Sequence, residues 1–226
     1  MTPRICVSIL PRNISEALTL LKNAEAARAD LIEVRLDCLE AAANLKEIAQ
    51  STKIPLIATD KLSSEQGFFP GTEVERQQRL LKAAESGFEY VDIELSSSTP
   101  KEIDKLKQLG VKSIVSCHKF DAPLSRSAMD RVLEQEIASG ASVCKIVIEA
   151  KKIEDNLAVL NFVVAHSAKT KLVCFCMGEA GKISRLLSPM FGAFFTFASL
   201  EEGSETAVGQ MTIREMRVFY DFLGAR

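Results

Sequence analysis

The sequence predicts a single (β/α)8 barrel spanning residues 1–226, and three observations carry that reading. Short apolar runs recur eight times, segments with helical periodicity lie between them, and the run-to-run spacing of roughly 20 to 35 residues suits one βα unit in a barrel of ~250 residues. A doubly wound open sheet is the competing arrangement, because pattern alone does not settle closure.

The runs are, in order, "ICVSIL" from Ile5, "LIEVRLD" from Leu31, "IPLIATD" from Ile54, "YVDIEL" from Tyr90, "VKSIVSCH" from Val111, "SVCKIVIE" from Ser142, "KLVCFCM" from Lys171 and "AFFTFAS" from Ala193. Each is the length of a strand, and apolar residues on both phases suit a parallel strand covered on both sides. The helical segments include "SEALTLLKNAEAARA" from Ser15, "EVERQQRLLKAAESG" from Glu73 and "AMDRVLEQEIASG" from Ala128. The last two close on Gly87 and Gly140, where a helix C-cap favours glycine. "NLAVLNFVVAHSAKT" from Asn156 follows the sixth run and "MTIREMRVFYDFL" from Met211 ends the chain. The stretch "KLSSEQGFFPGT" after Asp60 predicts a long loop, which in a barrel lies on the catalytic face.

With 47% hydrophobic residues, 26% charged residues and a net charge of −2, the chain is an ordinary globular domain with no basic excess for nucleic acid. The opening "MTPRICVSILPR" makes a poor signal peptide, and no stretch nears the roughly 20 apolar residues of a membrane span, so a cytoplasmic location is expected. Six cysteines sit mostly inside apolar runs without C-x-x-C spacing, which predicts structural thiols and no metal; Cys174 and Cys176 share one strand face.

Charged residues inside buried strands are the functional signal. The period of two groups Glu33, Arg35 and Asp37 on one face of the second run, Thr59 with Lys61, Asp92 with Glu94, and Ser116 with His118; Lys145 lies in phase with Val143 and Val147. Singly, such a residue is more often an ion pair than a catalyst. Five successive strands carrying polar groups at their C-terminal ends predict a shared site in the barrel mouth. A mid-strand lysine is desolvated, and nearby cations such as Arg35 or Arg185 would lower its pKa further toward a nucleophilic amine able to form a Schiff base with a ketone. His118 on the preceding strand suits proton transfer, whereas His166, late in a helical segment, reads as a surface imidazole. In "CFCMGEAGKISRLLSP", Gly178 and Gly181 turn the chain tightly, and amides there with Arg185 would make an anion site. The polar "LEEGSETAVGQ" segment predicts a lid.

The set "EVRLD", "SCHKF", "CKIV", "MGEAGKISR", "FTFAS" and "TAVGQ", in order from Ser8 to Gln210, resembles type I 3-dehydroquinate dehydratase, the Schiff-base dehydratase of the shikimate pathway. The resemblance implies a (β/α)8 barrel, a homodimer, no cofactor, and syn elimination of water from 3-dehydroquinate to give 3-dehydroshikimate. It implies Lys145 as the Schiff-base lysine and His118 as general acid/base, with Glu65 and Asp92 supporting the histidine. Ser8, Glu33, Arg35, Lys61, Phe120, Met177, Arg185, Phe197, Thr206 and Gln210 fall on substrate-binding positions, Arg185 as the main carboxylate clamp. Three departures stand out: Thr59-Asp60-Lys61 where the family has T-x-R, "SSEQGFFPG" where it is rich in E-G-G, and Thr206 at a serine position. The family is sometimes fused to shikimate dehydrogenase. The residues read alone also leave open a Schiff-base aldolase and a non-catalytic barrel that binds a small carboxylate.

Overall fold

The structure, a computed structural model, describes residues 2–40, 43–65, 67–119 and 125–225. Strands β1 (Ile5–Ile9), β2 (Leu31–Arg35), β3 (Leu56–Thr59), β4 (Tyr90–Glu94), β5 (Lys112–Lys119), β6 (Val143–Glu149), β7 (Leu172–Met177) and β8 (Thr196–Ala198) fall in the eight apolar runs. All pair in parallel, in the order β7-β6-β5-β4-β3-β2-β1-β8. At the β7–β8 seam the Phe194 amide, just ahead of β8, donates to the Leu172 carbonyl at 2.8 Å. Neighbours in sequence are therefore neighbours in space and the last strand pairs with the first, which is a nearly closed (β/α)8 barrel and not a doubly wound sheet.

The outer layer is α1 (Ile14–Ala26), α2 (Leu45–Gln50), α3 (Glu73–Ser86), α4 (Pro100–Gln108), α5 (Arg126–Ala138), α6 (Asp155–His166), α7 (Lys182–Leu187) and α8 (Ile213–Phe222). Thr72, Thr99 and Thr212 start α3, α4 and α8 with reciprocal capping boxes, satisfying amides that a helix start leaves unpaired. Gly87 caps α3 at φ 109°, a left-handed conformation that other residues adopt only with strain.

Two apolar layers fill the space. Outward residues such as Val7, Ile32, Val34, Ala58 and Val91 pack on Leu21, Ile48, Leu80 and Ile103 of the helices. Cys144, Cys174 and Cys176 belong to a second outward cluster with Met129, Leu133, Val159 and Phe162, so these thiols pack as small hydrophobes. Inside the barrel, Cys6, Leu31, Ile57, Tyr90, Ile114, Val143, Val173 and Phe195 form the floor. One strand period further on, the same inward face carries Ser8, Glu33, Thr59, Asp92, Ser116 and Lys145, all buried. The fold thus places an apolar plug below and a charged layer above it, at the C-terminal mouth.

Two loops over the mouth are more ordered than their composition suggests. The segment after β3 folds back on itself: the Phe69 amide donates to the Lys61 carbonyl at 3.1 Å and the Ser63 amide to the Phe69 carbonyl at 3.1 Å. After β8, the Val208 carbonyl accepts from the Gly178 amide at 3.1 Å, which joins the expected lid to the β7 turn. A Cβ on Gly209 would lie 2.2 Å from the Gly178 carbonyl oxygen, so only glycine permits that approach.

Candidate active site

The mouth encloses a cavity of about 490 Å3 lined by Ser8, Glu33, Arg35, Lys61, Glu65, His118, Lys145, Met177, Arg185, Phe197, Thr206 and Gln210. Asp92, expected in the same site, lies directly behind Lys145, and Phe120 lies outside the described residues. Twelve of the fourteen expected site residues therefore meet around one space, although they come from seven of the eight βα units, the fourth supplying Asp92 from behind.

Lys145 sits low in this space. Its Nζ donates to Asp92 Oδ2 at 2.7 Å, lies 4.0 Å from Glu33 Oε1, and stands 4.5 Å from the Phe197 ring centre. Asp92 is fixed in turn by the Ser116 hydroxyl at 2.6 Å, and Glu33 by the hydroxyls of Ser8 at 2.5 Å and Thr59 at 2.8 Å. Burial pulls the Lys145 pKa down, but Asp92, Glu33 and Glu94 outweigh it, so the net shift is upward. This corrects the expectation of a depressed pKa: the groups that decide the local field are carboxylates, not Arg35 and Arg185. Asp92 is held below the usual carboxylate range, because Lys145 and Lys61 overcome its own burial. With Asp92 at 2.7 Å and Glu33 at 4.0 Å, the surroundings favour the ammonium form of Lys145.

His118 lies on the next strand, one period nearer the mouth, since Ser116 is paired in register with Lys145 and His118 with Val147. Its Nδ1 is 2.7 Å from Glu94 Oε1 and 3.3 Å from Lys61 Nζ. The histidine's carboxylate is therefore Glu94, whereas Asp92, expected there, goes to Lys145. Glu65 lines the rim with Oε2 buried and without a hydrogen bond, its pKa raised by burial and by Glu94. Burial and Lys61 lower the His118 pKa against the opposing pull of Glu94. Glu94 itself is driven well below the carboxylate range, since His118 and Lys61 overcome its burial.

Arg185 contrasts with these compensated charges. Its side chain is 1% exposed, its Nε and Nη2 have no hydrogen-bond partner among the described residues, and its guanidinium lies 4.4 Å over the Phe175 ring. Burial pushes its pKa down to about 10, with a smaller opposing effect from Cys176. Two of the nearby amides are already used: Gly181 N–H bonds the Gly178 carbonyl and Ser184 N–H the Asn156 side chain, at 2.9 Å each. Contrary to expectation, these two amides are not free to join Arg185 in an amide nest.

Other expectations resolve locally. Arg35 gives Nε and Nη2 to Asp37 at 2.8 and 2.6 Å, because the strand stops at Arg35 and a 3-10 turn (Leu36–Cys38) swings Asp37 alongside it. Thr206 and Gln210 hydrogen-bond each other within the lid. His166 is not a surface imidazole; it packs on Phe162 and lies 2.9 Å from Asp130. Among the described residues no three His, Cys, Asp or Glu side chains are placed to hold a metal ion. No helix of the described residues is long and apolar enough to cross a membrane.

Residues 5–226 match the family model described as type I 3-dehydroquinase. A 3-dehydroquinate dehydratase from Dehalococcoides mccartyi strain BAV1 is 37% identical over 218 residues, covering 96% of this chain and 95% of that protein. One from Methanothermobacter thermautotrophicus is 34% identical over 215 residues, covering 94% of each. Among solved structures, the type I 3-dehydroquinate dehydratase from Clostridium difficile, with covalently modified comenic acid, superposes with a TM-score of 0.86 at 25% identity, over 98% of this chain and 92% of that one.

Proposed function

The chain belongs to the type I 3-dehydroquinase family, and from that premise we propose that it dehydrates 3-dehydroquinate, as a hydro-lyase of the shikimate pathway, through a Schiff base on Lys145. The observation that carries this reading is a buried lysine opening into the cavity, with His118 one strand away and an uncompensated arginine in the same wall.

Lys145 starts as an ammonium, so it must lose a proton before it attacks. His118, whose pKa is lowered, is neutral near pH 7 and accepts it. The amine adds to the C3 ketone, and loss of water from the carbinolamine gives the imine. Removal of a C2 proton sends electrons into the iminium nitrogen, and the resulting enamine expels the C1 hydroxyl, which leaves as water with a proton from His118. Hydrolysis of the imine restores the amine and releases 3-dehydroshikimate, so one water leaves overall. Asp92 and Glu33 stabilise the cationic nitrogen throughout.

Arg185 binds the substrate carboxylate, because an anion supplies the partner its buried guanidinium lacks. Ser8, Glu33, Arg35 and Lys61 line the wall that receives the hydroxyls, and Met177, Phe197, Thr206 and Gln210 close the space from the β7 and β8 side. Asp92 and Glu65 remain in the catalytic layer, the first through Lys145 and the second at the rim. A homodimer belongs to the same reading; Ile153, Leu157 and Val164, exposed on one stripe at and before α6, support it, and sedimentation tests it.

The test is conversion of 3-dehydroquinate to its conjugated enone, followed by absorbance. The wild-type chain turns over and His118→Ala loses ~10² to 10⁴ of the rate, the usual value of acid/base help. Absence of turnover by the wild type, or a mild loss in His118→Ala, contradicts the proposal.

A further inference from the structure

Lys61 stands where the family has an arginine, and its position assigns it more than a wall contact. Three atoms form a tight triangle: Lys61 Nζ to Glu94 Oε1 2.6 Å, Glu94 Oε1 to His118 Nδ1 2.7 Å, and His118 Nδ1 to Lys61 Nζ 3.3 Å. The side chains are 15%, 12% and 12% exposed, so water does little to screen them. An ionised Glu94 can only accept, so the proton between Glu94 and the imidazole belongs to Nδ1, and the lone pair of neutral His118 lies at Nε2. With Nδ1 already protonated, Lys61 cannot donate to it. The 3.3 Å contact is then a cation set beside the ring, which opposes a second proton on it, while the same ammonium anchors the oxygen that fixes the tautomer.

We propose that Lys61 is a positioning residue for His118: it locks Glu94 onto Nδ1 and keeps the imidazole singly protonated and ready to act as a base. This rests on His118 being the proton carrier of the reaction proposed above. The charged and titratable groups around the ring act in both directions. Lys61, from the segment after β3, and Lys145, from β6, disfavour the imidazolium; Glu94, from β4, favours it. Glu65, from the segment after β3, and Asp92, from β4, face Lys61 and Glu94 from the same layer. Lys61 and Glu94 thus act on His118 Nδ1 with opposite signs, from 3.3 and 2.7 Å, and removing either unbalances it in a defined direction. A contact made only with substrate would do neither.

The chain has two histidines, His118 and His166, so each ring Cε1–H resonance can be followed by NMR as pH is varied in the ligand-free enzyme. His166, packed beside Asp130 and Phe162, is the internal reference. Lys61→Met should raise the His118 midpoint by roughly one unit, the scale of a charge removed at this distance. Glu94→Gln should lower it, and Lys61→Arg, which keeps the charge, should leave it near the wild-type value, with His166 unmoved in all three. In turnover, Lys61→Met should lower kcat at neutral pH and regain it as pH passes the raised midpoint. An unchanged His118 midpoint in Lys61→Met, or a loss confined to KM at every pH, overturns the proposal. The titration needs no substrate, so its result is separate from the His118→Ala rate, which decides whether His118 carries the reaction's protons.

Discussion

The two sides of the barrel mouth handle buried charge in opposite ways. On the β2–β6 side every cation has its counter-charge, Lys145 with Asp92, Lys61 with Glu94 and Arg35 with Asp37, while Glu33 is bonded by two hydroxyls. On the β7 side Arg185 is as deeply buried yet keeps two nitrogens without a partner, backed by an aromatic face. A charge left unpaired in a dry wall costs several kcal/mol, and a bound anion would offset that cost. In the reaction proposed above, the compensated side would carry the chemistry and the uncompensated side would take the substrate carboxylate.

That contrast can be broken from either side. The largest effect is expected from Lys145→Ala, which removes the nucleophile and should take turnover below detection while the chain stays folded, as read by circular dichroism. Next, Asp92→Asn and Arg185→Met should move ligand-free stability in opposite directions. Loss of Asp92 strips a buried ammonium of its partner, a change worth ~3 to 5 kcal/mol, and should lower Tm by roughly 10 °C. Loss of Arg185 relieves an unpaired charge and should raise Tm by a few degrees, while kcat/KM falls by roughly 10²-fold or more. Equal signs in the two melts would erase the distinction between the two sides.

The smallest effect concerns a carboxyl outside the mouth. Glu136 on α5 is fully buried with both carboxylate oxygens lacking a hydrogen bond, and burial, then Asp92 and Glu94, push its pKa up to about 10. A carboxyl whose folded pKa lies above its unfolded value contributes stability that is present at low pH and is lost as pH rises toward the folded pKa. Glu136→Met should therefore raise Tm, with a gain that grows from about pH 5 to about pH 9, measured by thermal melts. A gain independent of pH would mean that Glu136 is ionised throughout.

Much of this arrangement could be read from the sequence. The period of two picks out Glu33, Asp92, Ser116, His118 and Lys145 because a barrel strand has an apolar interior to contrast with them. What the period leaves open is register between strands. Glu94 shares its phase with Asp92, so the signal for it was present, but only the pairing of Glu94 with Ser116 puts its carboxylate below and beside His118. The same limit explains Lys145: its neighbours in sequence are apolar, and the carboxylates that raise its pKa arrive from β2 and β4. Amides in the "MGEAGKIS" turn look available for an anion until Asn156, 28 residues away from Ser184 in sequence, is seen to occupy one of them.

The central claim is a covalent bond between substrate and Lys145. Borohydride reduction of the wild-type chain in the presence of 3-dehydroquinate, read by intact mass and peptide mapping, tests it most directly. One stable adduct is expected, located on Lys145, still formed in part by His118→Ala and absent from Lys145→Ala. An active preparation that yields no adduct, or an adduct on another lysine, would contradict it.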